Sequence, residues 1–286
     1  MPTANVNGVR LAYEENGSGP DTVFVHGIPT DLRAWNAQVD YFSQKCRVVT
    51  YSRRYAQPNS NPGTFLESTV ESNARDLEEF LDKICSAPIN LIGHSYGGFI
   101  AAYVAANHSE LVKKLVLIEP GISTVLIQDP ESRAQMISLL FRSPSIALAA
   151  GRYLRRYYNP LLEAYHKGDL DAALRYFLDG LMNRTDALEQ LSEDIRTMVR
   201  ENAKTIGEVE ARLPSFTKKD AARISAPTLL INGAEGTKIF LAINKELKKS
   251  IPNSEHVSIP RASHFPHFEN ADNFNGRVFE FLERKE

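Results

Sequence analysis

Short apolar runs recur along the first 122 residues, and segments with apolar residues at helical spacing separate several of them. Runs of this length are typical of buried strands. One of the intervening helices is predicted to begin at Ser68, because Ser68 and Glu71 have the S-x-x-E spacing of a capping box. The predicted strands cover residues 9–16, 21–25, 47–51, 88–92 and 114–118.

No strand pattern is found between residues 123 and 216, where the spacing of apolar residues predicts helices at 134–141, 146–158, 170–182 and 188–206. Strands at 228–231 and 255–259 then alternate with a helix near 240–249 and a last helix with inward Phe274, Val278, Phe281 and Leu282. Such alternation predicts an α/β fold with a mostly parallel sheet covered on both faces. Residues 1–122 and 217–286 are the predicted core, and residues 123–216 are a helical lid.

Residues 93–98, with the sequence GHSYGG, join the predicted strand 88–92 to a predicted helix that begins at Phe99. The pattern G-x-S-x-G between a strand and a helix is that of a nucleophile elbow, a sharp turn that exposes a serine hydroxyl. Glycines on either side let the chain segments approach without a Cβ clash. Ser95 is therefore the candidate nucleophile.

Composition narrows the possible partners. The 286 residues are 43% hydrophobic, which is ordinary globular composition, and a formal net charge of −2 gives no reason to expect nucleic acid or a membrane surface. No secretory signal or membrane-spanning run is found, and Cys46 and Cys85 suggest no disulfide framework. We therefore expect a soluble cytoplasmic protein, a monomer or homodimer, whose partner is a small-molecule substrate.

No cofactor or metal is expected. The chain has no glycine fingerprint for a dinucleotide and no cluster of metal ligands. His264 and His267 have a spacing that could hold a metal ion, but no third ligand accompanies them.

Three segments together resemble the α/β-hydrolase superfamily: HGIP at residues 26–29, the elbow at Ser95, and Ser263-His264 after the last predicted strand. The resemblance extends over nearly the whole chain and implies that superfamily's fold, with the lid inserted after the sixth strand. It also implies that His264 is the base that activates Ser95, with His267 as its rival. The backbone N–H groups of Ile28 and Tyr96 would then form the oxyanion hole.

The third triad member departs from the commonest pattern. Many members of the superfamily place an aspartate after the seventh strand in a G-x-x-D loop, but here that loop is Gly233-Ala234-Glu235-Gly236. Two carboxylates could replace the aspartate. Glu119, at the end of the sixth strand, occupies a position from which some members supply the acid, and we favour it over Glu235.

Several side chains are candidates for a substrate pocket. Trp35 is expected either in a pocket wall or in packing, while Tyr153 and Tyr157 line a pocket or form the core of the lid. Lid arginines, Arg152, Arg155 and Arg156, could bind a substrate carboxylate, although a solvated helix face is the simpler interpretation.

These residues favour a hydrolase that cleaves an ester, thioester or lactone through an acyl-serine intermediate. The same triad could also serve carbon–carbon bond hydrolysis, perhydrolysis or lyase chemistry, or the protein could be a receptor that binds a small ligand without consuming it. Dehalogenase and epoxide hydrolase activities are disfavoured, because superfamily members with those activities need an aspartate where Ser95 stands.

Overall fold

The computed structural model of the protein describes residues 1–129 and 132–284. Its strands, β1 to β8, are Thr3–Val6, Val9–Asn16, Asp21–Val25, Arg47–Tyr51, Ile89–His94, Val112–Ile118, Thr228–Gly233 and Ser254–Ile259. They form one sheet with the spatial order 1-2-4-3-5-6-7-8. β2 pairs antiparallel with β1 and β4, and the other neighbours are parallel, which confirms the predicted mostly parallel sheet.

The centre of the sheet is apolar on both faces. Every residue of β5 and of β7 is buried, as expected for parallel strands that helices cover on both sides. The strand order reverses at β3, which lies between β4 and β5. Ligands of open parallel sheets bind at the carboxyl ends of the strands near such a reversal, so this edge is where a site is expected.

Helices pack around the sheet and continue from β6 into the lid. The α-helices, α1 to α13, are Asn36–Phe42, Val70–Ile84, Ser95–Asn107, Arg133–Arg142, Pro144–Tyr153, Asn159–His166, Leu170–Met182, Ala187–Gln190, Glu193–Glu201, Lys218–Ala221, Lys238–Ser250, Pro266–Glu269 and Ala271–Glu283. Shorter 3-10 turns are Leu32–Trp35, Phe65–Glu67, Ser109–Leu111, Ser123–Val125 and Ala203–Glu210. Among the described residues, no helix is long and apolar enough to cross a membrane.

The predicted helical insertion after β6 is present, but the helices expected at 146–158 and 188–206 are each divided into shorter elements. The expected helix at 146–158 is α5 followed by a π-helical turn, Leu154–Tyr158, and α6 was not predicted. Pro160 explains the break, because a proline lacks the N–H that would bond the carbonyl of Arg156 and its ring clashes with that carbonyl. Asn159 N–H bonds Leu154 O instead, which widens the turn.

The capping box predicted for Ser68 and Glu71 is wrong. The N-cap residue of α2 is Thr69, whose hydroxyl accepts a backbone N–H of the first turn at 3.1 Å. Ser68 instead donates its hydroxyl to Glu208 of the lid at 2.8 Å. The serine therefore joins the lid to the core, a contact that the local sequence pattern could not reveal.

Candidate active site

Ser95 stands at the junction of β5 and α3. It is the first residue of α3 and has a φ of 52°, the left-handed conformation found in a nucleophile elbow. A Cβ at Gly97 would lie 2.3 Å from the carbonyl oxygen of Val25, and one at Gly93 would lie 2.5 Å from that of Gly97. The glycines that define the pattern are therefore required by close backbone approach.

The side chains of His264 and Glu119 meet in the interior. His264 follows β8, Glu119 follows β6, and His264 Nδ1 lies 2.8 Å from Glu119 Oε2 with both side chains fully buried. His264 Nε2 has no hydrogen-bond partner among the described residues, so no hydrogen bond joins it to Ser95 here. Catalytic hydrogen bonds are often long in unliganded enzymes and shorten when the substrate binds.

Two contacts hold the loops of the site side by side. His94, within the elbow, has its Nε2 2.9 Å from the carbonyl oxygen of His264, so this nitrogen carries the proton and donates it. The N–H of Gly121, two residues after Glu119, donates to the carbonyl oxygen of Ser95 at 3.0 Å. The loops that follow β5, β6 and β8 therefore converge at the carboxyl edge of the sheet, where ligands are expected.

Burial dominates the electrostatics of the acid and the imidazole. It raises the pKa of Glu119 to about 8, although hydrogen bonds from Asn232 and Gly233 lower it. Burial also lowers the pKa of His264 to about 3, so the imidazole is neutral at ordinary pH. When Glu119 is ionised, it accepts the proton of Nδ1 and leaves the Nε2 lone pair free. That tautomer is the one a general base requires.

The chain leaves space beside His264 for Glu119, the favoured candidate acid. Glu119 directly follows β6 and has a φ of 40°, a left-handed conformation that directs the chain sharply away from the strand. A Cβ at Gly236 would lie 2.8 Å from Glu119 Oε1. The glycine that replaces the common aspartate therefore provides the space for the glutamate. Glu235, the other candidate acid, is exposed and is not the carboxylate that meets His264.

Sequence reasoning missed the residues that orient Glu119. Asn232 Nδ2 and Gly233 N–H donate to Glu119 Oε1 at 3.1 and 3.0 Å. Asn232 Oδ1 accepts from Asn244 Nδ2 at 2.9 Å and lies 2.8 Å from His256 Nε2, so its amide can present only Nδ2 to the glutamate. A polar residue at the end of the apolar strand β7 was the available signal for this role.

Glu269 was also missed, and it fastens the loop that carries His264. Its Oε2 accepts from the N–H and the hydroxyl of Ser263, each at 2.7 Å, and from the N–H of Phe265 at 3.3 Å. Its Oε1 accepts from Arg184 of the lid at 2.6 Å. The histidine loop is therefore tied through one carboxylate to the lid.

The predicted oxyanion-hole amides lie on either side of the elbow. Tyr96 is in the first turn of α3, where an α-helix leaves its N–H groups without helical acceptors. Ile28 follows Gly27, at which a Cβ would lie 3.0 Å from Ser95 Cβ. Both residues therefore lie close to Ser95 in the chain or in space.

Arg53 holds the chain ahead of Ile28. Its Nε donates to the carbonyl oxygen of His26 at 3.1 Å and its Nη2 to that of Gly27 at 3.3 Å. Its Nη1 pairs with Glu208 of the lid at 2.8 Å, and both side chains are 1% exposed. This arginine therefore forms a buried ion pair between the lid and the loop that precedes Ile28.

The candidate pocket residues separate into two groups. Tyr153 and Tyr157 line a depression of about 600 Å³ between the lid and the loop after β7. Trp35 is fully buried, with its ring centroid 5.0 Å from that of Phe24 and 4.7 Å from that of His267, so it packs in the core and is not a pocket wall. His267 is likewise buried, and His264 is the histidine that meets the carboxylate.

Comparisons with known proteins agree with this architecture. A family model described as "alpha/beta hydrolase fold" matches residues 23–271. The chain is 27% identical to a 2-hydroxy-6-oxononadienedioate/2-hydroxy-6-oxononatrienedioate hydrolase of Paraburkholderia xenovorans (strain LB400), over 96% of this chain and 91% of the relative. Two solved structures share the fold. One is the enol-lactonase from Burkholderia xenovorans LB400, with a TM-score of 0.66, 24% identity, and coverage of 99% of this chain and 100% of that one. The other is a bromoperoxidase from Bacillus anthracis, with a TM-score of 0.74, 22% identity and 99% coverage of each chain.

Proposed function

This chain belongs to the alpha/beta hydrolase fold family and is a hydrolase, and we propose that it cleaves a carboxylic ester, thioester or lactone of a small molecule. The main support is the buried contact of 2.8 Å between His264 Nδ1 and Glu119 Oε2. The other ring nitrogen of His264, Nε2, has no hydrogen-bond partner among the described residues, and the carbonyl oxygen of His264 accepts from His94 in the elbow of Ser95. A serine hydroxyl is a weak nucleophile until an oriented base accepts its proton, and this arrangement supplies such a base.

In the proposed mechanism, the Ser95 hydroxyl attacks the substrate carbonyl carbon while its proton passes to His264 Nε2. Glu119 stabilises the resulting imidazolium through Nδ1. The N–H groups of Ile28 and Tyr96 stabilise the negative oxygen of the tetrahedral intermediate, and one such donor lowers the activation barrier by about 3 kcal/mol. Nε2–H then protonates the leaving alcohol or thiol. Water attacks the acyl-serine by the same route and releases the carboxylic acid.

Hydrolysis of a carbon–carbon bond on the same three residues is the second candidate. It is favoured by the 27% identity to the 2-hydroxy-6-oxononadienedioate hydrolase, whose substrate carries a ketone in place of an ester. Cleavage next to a ketone requires protonation of a carbon leaving group, whereas ester cleavage requires protonation of an oxygen. The two candidates therefore differ in substrate and share the residues of the site.

A panel of substrates tests both candidates. p-Nitrophenyl esters of rising chain length, several lactones and 2-hydroxy-6-oxononadienedioate are assayed with the wild-type protein and Ser95→Ala. We expect turnover of esters or lactones that Ser95→Ala abolishes while the circular dichroism spectrum stays unchanged. Ser123→Ala is the control, since the Ser123 hydroxyl makes no hydrogen bond with the described residues. Turnover that survives in Ser95→Ala refutes the proposal, and turnover of the ketone alone favours the second candidate.

A further inference from the structure

Two adjoining depressions of about 610 and 600 Å³ lie between the lid and α11, and Ser145 and Lys238 belong to the walls of both. We call them together the cationic cleft, because eight arginine and lysine side chains line it against one carboxylate, that of Glu246. The chain as a whole has a formal net charge of −2. The positive charge of the cleft is therefore a local feature and does not follow from the overall composition.

Most of this positive charge is not neutralised within the protein. Glu246 pairs with Lys218 at 2.5 Å and with Lys249 at 2.7 Å, and Arg184 pairs with Glu269 at 2.6 Å. The other five cations form no ion pair with any carboxylate in residues 1–129 and 132–284. These five are Arg142, Arg152, Arg156, Lys238 and Lys245.

The cationic cleft lies directly beside the acid and the base. Gly236, in its wall, is the residue whose Cβ would lie 2.8 Å from Glu119 Oε1. Lys238, shared by both depressions, begins α11. Two residues later the ring of Phe240 packs against that of His264, with 4.4 Å between centroids. One short segment of chain thus separates the cleft from His264 and Glu119, so an anion bound in the cleft would lie close to the site.

From this arrangement we infer that the cationic cleft binds the anionic end of the substrate, a carboxylate or a phosphate group. The inference rests on the proposed hydrolase function and adds the substrate class to it. Guanidinium groups such as those of Arg152 and Arg156 bind oxyanions in a bidentate manner. Tyr153 and Tyr157, in the same wall, provide aromatic surface for the part of the substrate that joins the anion to the scissile carbonyl.

The test compares substrates that present the same reacting acyl bond with and without an anionic group. The carboxylate pair is mono-p-nitrophenyl succinate and p-nitrophenyl butyrate, and the phosphate pair is butyryl-CoA and the neutral thioester S-butyryl-N-acetylcysteamine. Each is assayed with the wild type, with the triple variant Arg152→Gln/Arg156→Gln/Lys238→Gln, and with Arg155→Gln. Arg155 belongs to the same lid segment and lines neither depression, so it is the matched control.

We expect the wild type to prefer one anionic substrate over its neutral partner by at least about tenfold in kcat/KM. The triple variant should lose that preference, and Arg155→Gln should keep it. Raising NaCl from about 20 mM to about 500 mM should lower kcat/KM for the anionic substrate more than for the neutral one, because salt screens the attraction. The pair that shows the preference identifies the anion as carboxylate or phosphate.

Equal kcat/KM for charged and neutral substrates in the wild type, or an unchanged preference in the triple variant, would overturn the inference. Hydrolysis of the neutral esters by Ser95 would leave the proposed function intact in that case. If neither ester is cleaved, calorimetric titration of Ser95→Ala with monomethyl succinate and with inorganic pyrophosphate decides the question. Binding that the triple substitution removes supports the cleft, and no binding of either anion at millimolar concentration refutes it.

Discussion

Glu119→Gln is the substitution whose outcome follows most directly from the geometry. When Glu119 is ionised, its Oε1 accepts from Asn232 Nδ2 and Gly233 N–H, and its Oε2 accepts from His264 Nδ1. A glutamine has one acceptor oxygen. If that oxygen stays with the two donors, its NH₂ group faces His264, whose Nδ1 must then accept and whose proton moves to Nε2. The base would be in the wrong tautomer to receive the proton of Ser95.

The opposite orientation of the glutamine is less stable. It would preserve the tautomer of His264 but place an NH₂ group against the amide of Asn232 and the N–H of Gly233. Two buried donors would lose their acceptor, at about 1–3 kcal/mol each. Asn232 cannot turn to compensate, because its Oδ1 is held by Asn244 and His256. The wrong tautomer is therefore favoured, and we expect kcat to fall by about 10⁴-fold, the loss that this tautomer causes in serine protease triads.

The assay is steady-state turnover of the best p-nitrophenyl ester, combined with ¹⁵N NMR of labelled histidine to identify the protonated ring nitrogen of His264. Glu235→Gln is the matched control, since that side chain is exposed and should change kcat by less than about twofold. Glu119→Gln activity within about tenfold of wild type would refute the assignment of Glu119. A large loss in Glu235→Gln alone would transfer the role to Glu235.

Four further predictions follow from single contacts. Wild-type kcat/KM should rise with pH through about 8, because burial raises the pKa of Glu119 to about 8. His264, whose pKa burial lowers to about 3, does not titrate in that range. The pH profile of kcat/KM checks this, and a rise centred near pH 4.5 contradicts it. The same raised pKa means that folding favours protonated Glu119, so the stability that this proton contributes is lost as pH rises through about 8. The Tm of Glu119→Gln relative to that of the wild type should therefore increase between about pH 5 and about pH 9. Gly236→Ala should lower kcat at least about tenfold by displacing Glu119, whereas Gly276→Ala, with open space around its Cβ, should not. Glu208→Gln leaves Arg53 buried without its carboxylate partner and should lower the free energy of unfolding in urea by about 3–5 kcal/mol. Glu201→Gln, which removes the carboxylate of the exposed pair with Arg33, should lower it by less than about 1 kcal/mol. Equal losses in the two variants would refute this reasoning.

Predictions from sequence succeeded where the signal is local. The apolar runs located the central strands, and G-x-S-x-G between strand and helix located the turn at Ser95 with its positive φ. The missing aspartate after β7 directed attention to Glu119, which the structure places 2.8 Å from His264. Predictions failed at Ser68, where a correct spacing suggested a cap but the hydroxyl binds Glu208, 140 residues away.

By itself, the sequence determined the alternation of strands and helices, the position of the helical insertion and the elbow at Ser95, because each depends on periodicity or on a short motif. The candidate histidine, His264, came from the resemblance to the superfamily. Only the tertiary structure decided how the glutamate is held. The space above Gly236, the orientation of Asn232 and the fastening of the histidine loop by Glu269 join residues far apart in the chain. Those contacts form when the sheet assembles, and no local pattern encodes them. The same holds for the cationic cleft, whose charges come from five separate segments and become one surface only through folding.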